Sequence, residues 1–347
     1  MLDEDANLAP AYEFDSVPQT GHVMPVSNGL YWLRMPLPMQ LTHINLWLIE
    51  DDDGFAIVDT GLYTEESREI WTRLHADFFE GQAPTRIFVT HLHPDHSGCA
   101  GWLHRKFRSP LWMPREEFLL SKLLIDQKDN APSESGRLFY QAAGFSEEQL
   151  PYYARMFSLF GAIVSPLPDA YMRLVADAQI RIGRYDWQVM MGHGHSYEHA
   201  CLFCEDLNVL IAGDQLLPTI SSNVSVYPAE PNGDPLAAWL DSLAEFRRRL
   251  PPDVLVLPAH GKPFRGAHHR LSALISEHEQ VLERLEDLCR EPRRVIDTFP
   301  ALFKSRIDGR NLMMATGEAI AHLNYLLLRD RVEVVMDAHG VNWYQAV

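Results

Sequence analysis

The chain has 347 residues, 46% of them hydrophobic, and 47 acidic against 30 basic side chains give a formal charge of −17. Nucleic-acid binding draws most of its affinity from basic surface, so a polyanion is not expected as the partner. No run approaches the roughly twenty apolar residues that span a bilayer, and the acidic start Met1-Leu2-Asp3-Glu4-Asp5 lacks the pattern of a signal peptide.

A cytoplasmic enzyme is therefore expected, long enough for one large core and a smaller second domain. Residues 1–20 read as a flexible N-terminal arm. The first strong signal follows the apolar run Ile87-Phe88-Val89-Thr90, where His91-Leu92-His93-Pro94-Asp95-His96 places four metal-binding side chains within six residues. Imidazole nitrogen suits zinc, and a carboxylate beside it also tolerates iron or manganese. Residues 115–165 then read as three helices rich in aromatics: Phe139, Tyr140, Phe145, Tyr152, Tyr153, Phe157 and Phe160. Helix core is the default reading for most of them, and a lid or apolar channel the functional one.

Three later apolar runs each end in a small-residue turn and a further ligand type. Trp187–Met191 leads to Gly192-His193-Gly194-His195, Val209–Ala212 to Gly213-Asp214, and Val254–Leu257 to Pro258-Ala259-His260. Four strand ends of this kind describe one site at a sheet edge. Within Ala200–Cys204, Cys201 and Cys204 lie three apart on a strand and point to opposite faces, so buried small hydrophobes are expected rather than a shared metal. The loop Ile220–Val226 offers Ser222 and Asn223 as donors to an oxyanion or a substrate carbonyl, or as turn residues. Residues 266–291 carry a long helical period. A second helix over 315–329 and strands over 332–336 and 341–344 complete the chain.

The ligand pattern resembles the metallo-β-lactamase superfamily of hydrolases: HxHxDH, a distant His, a bridging Asp and a final His. The resemblance implies an αββα sandwich over residues 21–265 with 115–165 as a helical insertion or lid. It assigns His91, His93 and His195 to one metal, Asp95, His96 and His260 to a second, and Asp214 as the bridge. Asp59, in Ile57-Val58-Asp59-Thr60-Gly61, matches the family's strand-end Asp-Thr-Gly and would orient ligands from behind. Either His193 or His195 could be the third ligand. The family form, a His followed by Ser or Thr, two residues and another His, favours His195 and gives His199 a supporting place. Where the family has Pro-Gly this chain has Tyr197-Glu198, which makes Tyr197 a candidate for catalysis and substrate contact. Residues 266–347 are similar to the winged-helix-like C-terminal domain of the lactamase-beta-2-like group. The would-be recognition helix has no Lys or Arg before Arg329, so it reads as a packing or dimerisation element that walls the active site.

The function so implied is hydrolysis of a small acyl substrate (thioester, lactone or ester), as in the glyoxalase-II-like branch. Two divalent ions, zinc first, would generate hydroxide from a shared water, and Asp95 and Asp214 would handle protons. The alternatives are a phosphodiesterase or single-stranded RNA nuclease of the same fold and a di-iron redox or sensing protein.

Overall fold

A computed structural model describes residues 10–38, 41–127, 133–309 and 311–347, the side chains of 154–158 excepted. The chain enters through β1 (Ala11–Tyr12) and builds a first sheet from β2 (Val23–Ser27), β3 (Leu30–Pro36), β4 (His43–Asp51), β5 (Gly54–Val58), β6 (Arg86–Phe88), β7 (Leu111–Met113) and β8 (Met172–Arg173), side by side in that order. Along it lie α1 (Glu65–Asp77), α2 (Pro94–Ser97), α3 (Ala100–Phe107), α4 (Arg115–Asp126), α5 (Glu134–Ala142) and α6 (Leu150–Ile163). The second sheet uses β9 (Gln179–Ile182), β10 (Tyr185–Gly192), β11 (His199–Cys204), β12 (Val209–Gly213), β13 (Leu255–Pro258) and β14 (Phe264–Arg265), in the order β1-β14-β13-β12-β11-β10-β9. Helices α7 (Pro235–Arg249) and α8 (Ala267–Leu288) belong to its outer side. The C-terminal part adds α9 (Phe299–Leu302), α10 (Leu312–Leu327) and the antiparallel ribbon β15 (Val332–Met336) with β16 (Asn342–Ala346).

Strand alternation divides the apolar residues among three cores. On β4, Leu46 and Leu48 face the helices of the first sheet, while Trp47 and Ile49 face the interior between the sheets. On β12, Val209 and Ile211 face that interior, while Leu210 and Ala212 face α7, α8 and α10. Buried Trp32, Trp47 and Trp187 fill the middle. The layers are thus helix, sheet, sheet, helix. Among the described residues no helix is long and apolar enough to cross a membrane.

Topology gathers the strand ends. β10 runs antiparallel to β11 and β11 to β12, so β10 and β12 share a direction, and β13 runs parallel to β12. In the first sheet β5 and β6 are parallel. Asp59, the His91–His96 run, His195, Asp214 and His260 therefore all follow the carboxyl ends of their strands.

Several expectations change. Residues 1–9 of the expected flexible arm lie outside the described residues. The rest is held: Ala11 and Tyr12 pair with Arg265 and Phe264, Glu13 meets Arg265 at 2.9 Å, and the Phe14 ring packs edge-on to Trp32. The edge of β14 offers unpaired backbone groups, and β1 satisfies them. The three helices of 115–165 are present, but Tyr140, Phe145 and Tyr153 are buried against one another. These rings are core, since burying them stabilises more than lining an open channel would; Phe157 lies among side chains outside the description. The helix expected over 315–329 starts three residues earlier, at Leu312. Cys201 and Cys204 are free and buried on opposite faces of the second sheet.

Candidate metal centre

Two groups of potential ligand atoms converge at the shared edge: His91, His93, His195 and Asp214 in one, Asp95, His96 and His260 in the other. In the first, His91 Nε2 lies 2.9 Å from His93 Nδ1, which lies 3.0 Å from His195 Nε2. Asp214 Oδ2 stands 3.3 Å from His195 Nε2 and 3.5 Å from His96 Nε2, and its Oδ1 stands 3.6 Å from His260 Nε2. Asp95 Oδ2 is 3.4 Å from His260 Nε2. Asp214 thus faces both groups. A tetrahedral zinc with bonds of about 2.0–2.1 Å sets its ligand atoms roughly 3.3 Å apart, which these separations suit. His96 Nε2 and Asp214 Oδ1 are buried without a hydrogen-bond partner, an arrangement a cation would satisfy. The donor set fits divalent metal.

Four of the five ligand imidazoles are aimed by their other nitrogen. His96 Nδ1 donates to Asp59 Oδ2 at 2.7 Å, His195 Nδ1 to the Asn223 carbonyl at 2.7 Å, and His260 Nδ1 to the His43 carbonyl at 2.9 Å. His91 Nδ1 is 3.0 Å from Thr90 Oγ1, whose hydroxyl also bonds Asp59. Such partners set tautomer and ring orientation. Asp59, at φ 62°, further accepts Thr90 N–H at 2.8 Å. His199 is buried beneath His91, and its Nε2 accepts the Asp214 N–H at 3.0 Å. It supports the Asp214 turn and belongs to neither group. Gly213 adopts φ 51°, and a Cβ there would lie 2.6 Å from His199 Cε1, so the close approach requires glycine.

Electrostatics separates the two groups. Burial and then the His96 imidazole hold His91 well below its ordinary value, and burial with His195 lowers His93 to about 3. Burial also pushes His96 down, but Asp59, Asp214 and Asp95 outweigh it and hold the ring well above its ordinary value. Burial raises Asp214, yet His96 and His260 keep it well below the usual carboxylate range. Asp214 is thus ionised beside His91 and His93, which are held neutral, whereas His96 keeps its proton against the surrounding carboxylates and would release it to bind a metal.

The structure separates His193 from His195. His193 Nδ1 meets the Tyr197 carbonyl and its N–H bonds Ser242, so it stands outside both groups. Tyr197 is partly exposed, and its hydroxyl bonds Glu230; burial and that carboxylate push it up to about 12. Ser222 is buried, and its hydroxyl donates to the Asp214 carbonyl, while the Asn223 amide donates to Glu318 Oε2 at 2.7 Å. The expectation that these two donate to an oxyanion gives way, because both donors are engaged within the protein.

Two supports carry no signal in the local pattern. Glu117 of α4 is fully buried and accepts Leu92 N–H on Oε2 and Glu198 N–H on Oε1, each at 2.8 Å, which ties the His91–His96 loop to the loop that carries His195. Burial pushes its carboxyl up to about 7 against these bonds. Asn45 of β4 donates to the Pro258 and Gly261 carbonyls at 2.9 and 2.8 Å and so brackets His260.

A two-sheet sandwich with this cluster at its edge is a metallo-hydrolase architecture. Residues 40–260 match the profile of the metallo-beta-lactamase superfamily, and 282–347 that of a metallo-beta-lactamase-like C-terminal domain. A beta-lactamase domain protein from Burkholderia ambifaria has a crystal structure that superposes with a TM-score of 0.89 at 36% identity, covering 97% of this chain and 98% of that one. A metallo-beta-lactamase family protein of Thermus thermophilus reaches 0.75 at 25% identity, over 92% and 99%. A probable metallo-hydrolase of Bacillus subtilis strain 168 is 24% identical over 340 residues, 89% of this chain and 95% of the relative. The chain belongs to the metallo-beta-lactamase superfamily and is a metal-dependent hydrolase.

Proposed function

We propose that the protein holds two divalent ions, zinc first, and hydrolyses a small acyl substrate: a thioester, lactone or ester. The observation that carries this reading is Asp214, whose carboxylate faces both ligand groups: Oδ2 lies 3.3 Å from His195 Nε2 and 3.5 Å from His96 Nε2, and Oδ1 lies 3.6 Å from His260 Nε2. Bound there, such ions polarise a substrate carbonyl and lower the pKa of a bound water. The protein's own part is positional. Asp59, Thr90 and the Asn223 and His43 carbonyls aim the imidazoles, and Asp95, the more accessible of the two acidic ligands, passes the proton between water and leaving group. Ser222 and Asn223 are engaged elsewhere, so bound ions would supply the positive charge that stabilises an oxyanion. Tyr197, paired with Glu230 and kept a neutral phenol, would meet the substrate's acyl side.

The charge of −17 and the burial of α10 on nearly every side weigh against nucleic acid as substrate, since that helix offers no basic face to a groove. The same burial favours packing as the role of α10. The test is initial rate on matched thioesters, lactones, aryl esters and single-stranded RNA, with metal-reconstituted protein and an Asp214→Ala control. Acyl turnover absent from the control supports the reading. RNA cleavage with inert acyl substrates overturns it. Zinc is spectroscopically silent, so a near-ultraviolet absorption band would replace it with a di-iron centre.

A further inference from the structure

The ligand imidazoles are not all steadied alike. His96 leans on Asp59 at the end of β5, His260 on the His43 carbonyl of β4, and His91 on Thr90 at the end of β6. His43 lies within the first sheet, and Asp59 and Thr90 follow directly on its strands, with the Asp59 N–H bonded to the Phe88 carbonyl at 2.8 Å and the Thr90 N–H to Asp59 Oδ1 at 2.8 Å. His195 leans instead on the carbonyl of Asn223, in the stretch 221–226 that has no regular secondary structure. Such a segment must be fixed by something other than its own backbone ladder.

That fixture is α10. Asn223 Nδ2 donates to Glu318 Oε2 at 2.7 Å, a charge-assisted bond when the carboxyl is ionised. The next turns of the segment are held too: Val226 N–H donates to the Gly317 carbonyl at 3.0 Å. Helix and segment meet at a residue without a side chain, for a Cβ on Gly317 would lie 2.7 Å from Ser225 Oγ and 3.0 Å from the Val226 carbonyl. Gly317 permits the contact and Glu318, the next residue, uses it. A chain of bonds runs from the Glu318 carboxyl through the Asn223 amide group and then the Asn223 carbonyl to His195 Nδ1. Donation from Nδ1 leaves Nε2 with its lone pair facing His93 and Asp214.

We propose that Glu318, on the C-terminal helix, is a positioning residue for the metal held by His91, His93 and His195. It acts through Asn223 and touches neither metal nor substrate. The inference rests on the cluster's being a two-metal site, and it makes the C-terminal domain part of that site's support. The partner that orients a metal-bound histidine is typically worth 10–100-fold in metal affinity.

The experiment titrates the metal-stripped full-length chain with zinc against a chromophoric chelator, resolving two binding steps, with melting temperature recorded beside it. Glu318→Ala should weaken one step by about 10–100-fold and leave the other within about threefold. Glu318→Gln keeps an acceptor oxygen for the Asn223 amide and should restore the weakened step. Asn223→Ala, which retains the backbone carbonyl but has no side-chain donor for Glu318, should reproduce the loss even if Glu318→Ala fails to fold. Two unchanged steps in a folded Glu318→Ala variant overturn the proposal, as does an equal loss at both steps that follows the melting temperature. Wild-type protein that takes up no zinc overturns the two-metal reading itself, and with it this inference. The two failures are therefore distinct.

Discussion

Replacing Glu117 tests whether the inserted helices serve the metal centre. The carboxylate is the acceptor for two backbone donors, the buried Leu92 N–H and the partly buried Glu198 N–H, drawn from loops 106 residues apart in sequence (198 − 92). Glu117→Ala strands both. A buried donor left without a partner costs about 1–3 kcal/mol, so the pair gives about 2–6 and a central value near 4 kcal/mol. The unfolding entropy, about 2.1 cal/mol/K per residue, comes to roughly 0.7 kcal/mol/K for 347 residues. The melting temperature should fall by about 5–6 °C. Scanning calorimetry measures that fall, and metal analysis on the same samples should show reduced occupancy as the loops part. A melting temperature within about 1 °C of wild type, with full metal content, would refute the reasoning.

The same residue predicts a pH dependence. Its carboxyl is raised by burial from 4.5 to about 7, so the folded state binds the extra proton between those values. The associated stability is fully present below about pH 4.5 and is lost as pH rises through 7, roughly 3 kcal/mol in all. Glu117→Gln cannot ionise and should flatten that part of the metal-free protein's denaturation profile. Asp59→Asn removes the carboxylate that aims His96 and should lower affinity for the metal of Asp95, His96 and His260 by about 10–100-fold in a chelator competition; unaltered affinity would deny Asp59 that role. Gly213→Ala forces a Cβ to within 2.6 Å of His199 at φ 51°. It should cost about 2–4 kcal/mol from strain and overpacking together, read by chemical denaturation.

What sequence alone determined here is what short-range spacing carries. Four potential ligands within His91–His96 announce a metal loop, and alternation on strands such as β12 assigns faces, because both depend only on near neighbours. Ligand type alone left His193 and His195 open, and the family's His-Ser-x-x-His form favoured His195, which stands in the cluster. The turn decides between them: Gly194, at φ 105°, packs so closely that a Cβ would meet the Pro235 carbonyl at 2.6 Å, and His193 is directed outward to the Tyr197 carbonyl. Glu117 looks no different in sequence from its neighbour Glu116, yet only Glu117 is buried beneath both ligand loops. Asn45 and Glu318 lie 213 and 95 residues from the groups they hold. Ser222 and Asn223 were recognisable as polar loop residues, but their donors are taken by Asp214 and Glu318. A hydrogen bond depends on where two atoms are brought within about 3 Å of each other. The chain writes the ligands locally, and only the packed sheets and helices decide what holds each one in place.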